Sequence, residues 1–256
     1  MNSPVRFKCA AALLALAAVH ASVRADQPQP GYLAPADALH IEAWLAPAPA
    51  EDSMANAADV EAYLHSRTLI GTARAQEAQA DDVLKPAEAV AQRFAYVMGV
   101  TLDRNSAPRL LHMMELVRND AEWLVLPVKK AAASGGRRRP FMDFPNLPKC
   151  PLVFDALGTT GSYPSGHAIT GWLWGSVLAE TAPDFADALL ARGTAFGDSR
   201  VVCGFHYPSD IAAGRLAAAA LLARLHADPR FLADLARAKK EVAVLLAAAR
   251  RSRARQ

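Results

Sequence analysis

In SRVVCGFHYPSD, residues 199–210, a guanidinium, an imidazole and a carboxylate fall within twelve positions, with Arg200 six before His206 and Asp210 four after it. A four-residue step is one helical turn. Asp210 can therefore accept a proton from one ring nitrogen of His206, fix the tautomer and leave the other nitrogen's lone pair free. Arg200 offers a planar fork suited to two oxygens of a phosphate-like anion. A second stretch, YPSGH, residues 163–167, reads as a helix start. There Pro164 directs entry, and the amides of Ser165, Gly166 and His167 point out as unpaired donors for an anion. Ser165 adds a hydroxyl, and Gly166 lets the anion approach the backbone. The third element is Arg139-Pro140, with Lys129 and Lys130 upstream. HxxxD also suits two metal ligands, but no third ligand stands at a characteristic spacing. Taken singly, the segments also read as a capped helix and a structural turn.

The elements that must carry these side chains read as helices. Apolar residues recur at three- and four-residue spacing over 57–69 and 83–98. LLHMMELVRNDAEWLVLPVKK sets Leu110, Met113, Met114 and Val117 on one side, a core stripe, with Asn105 or Ser106 as the expected cap. Further helices are expected over 165–180, 183–197, 209–227 and 229–250. Gly135-Gly136 breaks the chain before Pro140, and a polar, proline-rich loop runs on to about Ser162. AAGRLAAAALLARL is apolar, but Arg215 and Arg224 interrupt it, so a buried helix fits better than a membrane span. His40, His65, His112 and His226 stand singly and read as structural or surface residues. With no alternating strand pattern and no internal repeat, the expected fold is all-α: a single-domain helical bundle over 53–250, followed by a basic tail at 251–256.

Residues 1–25 have the layout of a secretory signal: Arg6 and Lys8, an apolar run from Cys9 to Val19, then Val23-Arg24-Ala25 as a cleavage site, with Ala21 as the alternative. A proline- and alanine-rich arm covers 26–52. Taking the leader's three basic residues from the 28 Lys and Arg leaves 25, equal to the 25 Asp and Glu. A neutral mature chain argues against nucleic-acid binding by bulk charge. Cys9 leaves with the leader, so Cys150 and Cys203 remain as an even pair that an oxidising compartment would join.

The ordered set Lys…Arg139-Pro140…Pro164-Ser165-Gly166-His167…Ser199-Arg200…His206…Asp210 resembles the signature of the type 2 phosphatidic acid phosphatase superfamily. GSYPSGH, the LAE ending the next helix, the ARG before the third segment and SRVVCGFH resemble the class A bacterial non-specific acid phosphatases. The resemblance implies an acid phosphatase/vanadium haloperoxidase type of bundle and a periplasmic or secreted enzyme. Small phosphomonoesters are the implied substrates, without metal or cofactor, and without nucleic-acid or membrane partners once the leader is cleaved. Homo-oligomerisation is implied too. In the implied roles His206 is the nucleophile, Asp210 its orienting carboxylate, and His167 the acid and base. Arg139, Arg200, Ser165, Gly166 and a lysine bind phosphate. The family's lysine stands seven residues before its Arg-Pro arginine, where this chain has Ala132. A two-residue insertion at Gly135-Gly136 assigns the role to Lys130, with Lys129 second. A haloperoxidase holding vanadate in the same pocket remains the rival reading.

Overall fold

The computed structural model describes residues 30–133, 136–151 and 155–255, so the leader lies outside the described residues. Among them it shows nine α-helices, short 3-10 turns and no strand. The helices are α1 (Met54–Ser66), α2 (Ala73–Ala80), α3 (Ala87–Met98), α4 (Pro108–Ala133), α5 (Pro140–Asp143), α6 (Gly166–Thr181), α7 (Ala186–Val202), α8 (Pro208–Leu225) and α9 (Pro229–Arg253). The fold is the all-α one expected.

Helix α6 sits at the centre because it is apolar on nearly every side, as a helix surrounded by others must be. Its Ile169, Leu173, Trp174 and Val177 join the core with Leu110, Met113, Met114 and Val117, the expected stripe of α4. Helices α6 and α7 meet at glycines. A Cβ on Gly171 would lie 2.6 Å from the Gly193 carbonyl oxygen, and one on Gly193 would lie 2.5 Å from that of Gly171. No side chain fits such a backbone-to-backbone contact. Helix α8 presses on the start of α6 in the same way: a Cβ on Gly214 would lie 2.5 Å from the Ser165 carbonyl. The first turn of α6 is thereby fixed against both neighbours.

Several boundaries depart from the periodicity, each for a local reason. Helix α3 begins at Ala87, not at 83, because Pro86 has no amide hydrogen to donate and disfavours a helical backbone at Lys85. The sequence periodicity gives no sign of helix α2. Thr72 caps it, accepting from the Ala75 amide at 3.4 Å, but its alanines and glutamines make a weak apolar stripe. Neither Asn105 nor Ser106 caps α4. The Glu241 carboxylate of α9 accepts from the amides of Arg109 and Leu110, at 3.2 and 3.0 Å, while Ser106 donates to the Thr101 carbonyl. Helix α7 continues past Gly197 to Val202, which puts Arg200 in its last turn. Helix α9 continues to Arg253, whose guanidinium reaches the Gly99 carbonyl at 3.3 Å.

Cys150 and Cys203 form a disulfide, with Cα atoms 4.7 Å apart. It closes a loop with a sequence separation of 53, worth roughly 4 kcal/mol by the chain-entropy estimate. The Cys150 amide also donates to the Cys203 carbonyl at 3.1 Å. The segment leading into His206 is therefore held both covalently and by the backbone. No helix among the described residues is long and apolar enough to cross a membrane.

Candidate active site

After α7 the chain turns at Gly204, whose φ of 86° favours glycine, and the Phe205 amide donates back to the Arg200 carbonyl at 2.9 Å. His206 follows, buried at the mouth of α8. Its Nε2 lies 3.0 Å from Arg139 Nη1, and its Nδ1 lies 3.3 Å from Asp210 Oδ2. A guanidinium has only protons to offer, so Nε2 is the acceptor and Nδ1 carries the hydrogen. Asp210 is held on every side. Its Oδ2 accepts from Ser162 Oγ at 2.5 Å and from the Tyr207 amide at 2.8 Å. Its Oδ1 accepts from Arg137 at 3.0 Å.

These contacts set the charges. Burial, with Arg139 beside it, pushes the His206 imidazole well below its usual pKa despite Asp210. Burial alone would raise Asp210, but His206, Arg137 and Ser162 hold it down at about 2. Both shifts favour a neutral imidazole beside a carboxylate, with the Nε2 lone pair in reserve.

Arg139 and, farther off, Lys129 bear on that imidazole. Arg139 is aimed by the Phe205 and Gly161 carbonyls and by both oxygens of Thr160. Arg200 is fully buried over the Phe205 ring, and neither of its terminal nitrogens has a hydrogen-bond partner among the described residues. Burial first, and then the nearby Arg200, take the Arg139 guanidinium down to about 10, with Asp210 opposing. Lys129 donates to the carbonyls of Gly161 and Ser162, at 2.8 and 3.2 Å. Burial, then Arg139, pushes its ammonium down to about 7, against Asp210.

The start of α6 completes the constellation. Ser165 is the N-cap; its hydroxyl accepts from the Ala168 amide at 3.3 Å. Its own amide is not free as expected, because it donates to the Asp210 carbonyl at 3.0 Å and ties the two helix starts together. The space where a Cβ on Gly166 would stand is open to 4 Å. His167 lies with Nε2 3.2 Å from Asp82 Oδ1, its ring 6.0 Å from that of Phe196. Burial first, then Arg200, takes its imidazole down to about 4, with Asp82 opposing. That is well below the ordinary histidine value.

The structure brings His167, Ser165, Gly166, Arg139, Arg200, His206 and Asp210 to one place, with Lys129 among them. The Lys130 side chain lies outside the described residues. Sequence reasoning missed Arg137, Ser162 and Asp82. Arg137 stands in a run of three arginines, where proline marked only Arg139. It also binds Asp59 at 2.7 Å and Ser209 at 2.6 Å. Ser162 stands in GSYPSGH itself, without a spacing rule to single it out. Among the described residues no three His, Cys, Asp or Glu side chains are grouped to hold a metal ion.

An all-helical bundle with two helix starts, buried arginines and a His–Asp pair at one focus is the arrangement expected of the PAP2 superfamily, whose family model matches residues 122–232. The chain is 34% identical to a non-specific acid phosphatase of Salmonella typhimurium, covering 85% of this chain and 86% of that one. It is 35% identical to a non-specific acid phosphatase of Providencia stuartii, covering 84% and 85%. An acid phosphatase of Zymomonas mobilis subsp. mobilis is 36% identical over 78% of this chain and 74% of its own. The chain belongs to the non-specific acid phosphatases of the PAP2 superfamily.

Proposed function

We propose that the chain hydrolyses a broad range of phosphomonoesters to alcohol and inorganic phosphate, in acid, through a phosphohistidine on His206 and without a metal ion. The observation that carries this reading is the setting of His206, with Nε2 3.0 Å from Arg139 Nη1 and Nδ1 3.3 Å from Asp210 Oδ2. The phosphoryl oxygens lie among Arg139, Arg200, Lys129, the Ser165 hydroxyl and the Gly166 amide. Nε2 attacks phosphorus in line as the bond to the leaving oxygen breaks, and Asp210 balances the charge that the ring acquires. His167 gives its proton to the departing alkoxide. It then takes one from the water that attacks phosphorus, and the N–P electron pair returns to Nε2. Phosphoryl transfer rests on positioning and charge stabilisation, so cations and amides suffice as the cradle. Export, with residues 1–25 removed, the 26–52 arm retained and the catalytic domain over 53–250, accords with the disulfide. The test is hydrolysis of p-nitrophenyl phosphate in acid with excess chelator. Full turnover is expected, and activity that disappears with chelator and returns with a divalent ion would overturn the metal-free mechanism.

Lys129 takes the role of the phosphate lysine in this reading, because its ammonium reaches the site. It is charged below about 7 and loses that charge above it, so inhibition by phosphate should weaken as pH rises through that value. Lys129→Met should weaken inhibition in acid roughly tenfold to a hundredfold and flatten the decline. A larger loss in Lys130→Met would reverse the assignment.

A further inference from the structure

Asp82 has no role so far, yet its carboxylate lies between two groups that do. Oδ1 is 3.2 Å from His167 Nε2 and 3.3 Å from Arg200 Nη1. Its neighbour explains how it gets there. Asp81 ends α2 as a fully buried carboxylate, clamped by Arg93 at 2.9 Å, by Arg192 and by Ser199 Oγ at 2.7 Å. Ser199 also receives both terminal nitrogens of Arg74, each at 3.1 Å, and it immediately precedes Arg200. The end of α2 is therefore pinned to the last turns of α7. Asp82 is delivered to His167 by a clamp that itself touches no reacting group.

We propose that Asp82 is the positioning residue of His167: it holds Nε2–H, so that Nδ1 delivers the proton to the leaving oxygen and later retrieves one from water. The inference rests on the reading of His167 as the acid and base. The site then contains two histidine–carboxylate pairs with opposite tasks. Asp210 holds Nδ1 of the nucleophile and frees Nε2; Asp82 holds Nε2 of the acid and frees Nδ1. In the first step the Nδ1–H bond of the imidazolium breaks as the O–H bond of the alcohol forms. In the second, Nδ1 takes a proton from water while oxygen bonds to phosphorus and the N–P bond breaks. Asp82 stays ionised throughout: burial opposes its charge, but His167, Arg200 and Arg139 hold its carboxyl below the usual range. Its contacts are ion-pair distances without hydrogen-bond alignment, and such contacts tighten when substrate binds.

The charged groups facing His167 are Asp82 from the end of α2, Arg200 from α7 and Arg139 from the segment before α5. Only Asp82 favours the imidazolium. Replacing its charge leaves burial and two arginines opposing the proton, so the imidazolium is lost at lower pH. The experiment compares Asp82→Asn and Asp82→Ser with the unaltered enzyme, using kcat/KM for an alkyl phosphate and for p-nitrophenyl phosphate across pH. An alkoxide needs the acid's proton and a nitrophenolate scarcely does. The expected loss is therefore about a hundredfold for the alkyl ester and a few-fold for the aryl one, with the basic limb of the pH profile moved toward acid. Equal losses for both esters, an unmoved limb or no loss would overturn the proposal. Equal losses with weaker phosphate inhibition would assign Asp82 to Arg200 instead. His167→Ala is measured alongside. If it fails to discriminate between the esters, the acid reading itself falls; if it discriminates and the Asp82 variants do not, only the present inference falls.

Discussion

His206→Ala should lose turnover by at least about ten-thousandfold, and rapid alkaline quenching should recover no phosphorylated protein. The argument is structural as well as chemical. His206 turns Nε2 toward Arg139, a buried arginine that suits phosphate, at 3.0 Å. Without it, water would have to attack the ester directly, and a covalent route cannot be replaced by the surrounding cations. The variant should still fold. Asp210 keeps the Ser162 hydroxyl, the Tyr207 amide and Arg137, so the mouth of α8 stays tied when the imidazole is gone. An unchanged helical signature, with phosphate still protecting against thermal unfolding, would show that the cradle survives without its nucleophile. Turnover within tenfold of the original would remove His206 from the mechanism.

Arg200→Lys should lower kcat/KM by roughly a hundredfold to a thousandfold, although it preserves charge. The guanidinium carbon lies 4.7 Å from the Phe205 ring centroid, and among the described residues its terminal nitrogens have no hydrogen-bond partner, with Asp82 as an ion-pair partner at 3.3 Å. A buried group with unmet donors is costly in the resting protein, and the cost is recovered when an oxyanion supplies two acceptors. An ammonium cannot present two parallel donors or stack on the ring. Inhibition by phosphate and vanadate should weaken together with kcat/KM, since both oxyanions use the same fork. A variant within tenfold of the original would mean that Arg200 acts as a point charge or not at all.

The parts of this site that were legible in the sequence are those whose spacing carries their geometry. His206 and Asp210 are four residues apart, and their side chains meet across the start of α8, Nδ1 to Oδ2 at 3.3 Å, although His206 itself precedes the helix. Ser165-Gly166 announces a helix start, and α6 starts there. Cys150 and Cys203 are an even pair once a leader is set aside, and they are bonded. Spacing is blind to partners distant along the chain. The cap of α4 is Glu241, more than a hundred residues away. Arg137 gains its partners from α1 and α8, so nothing near it distinguishes it from Arg138, which pairs with Asp143 nearer the surface. Asp82 was the hardest to see, because Asp81-Asp82 after an alanine-rich stretch reads as a solvated acidic pair. Only the packing of α2 on α7 turns one of them into a clamp and the other toward His167. The lysine assignment shows a related limit. Counting back from Arg139 decides how long the loop is, whereas which of two adjacent lysines faces inward depends on the rotation of α4.

The glycine contact between α6 and α7 has a genetic corollary. His167 rides on the first turn of one helix and Arg200 on the last turn of the other, so their alignment depends on how closely two backbones lie at residues 171 and 193. One added methyl group there is enough to part them. An allele encoding alanine at either position would make a protein with every reactive side chain intact but His167 and Arg200 out of register, a loss that no inventory of catalytic residues would flag.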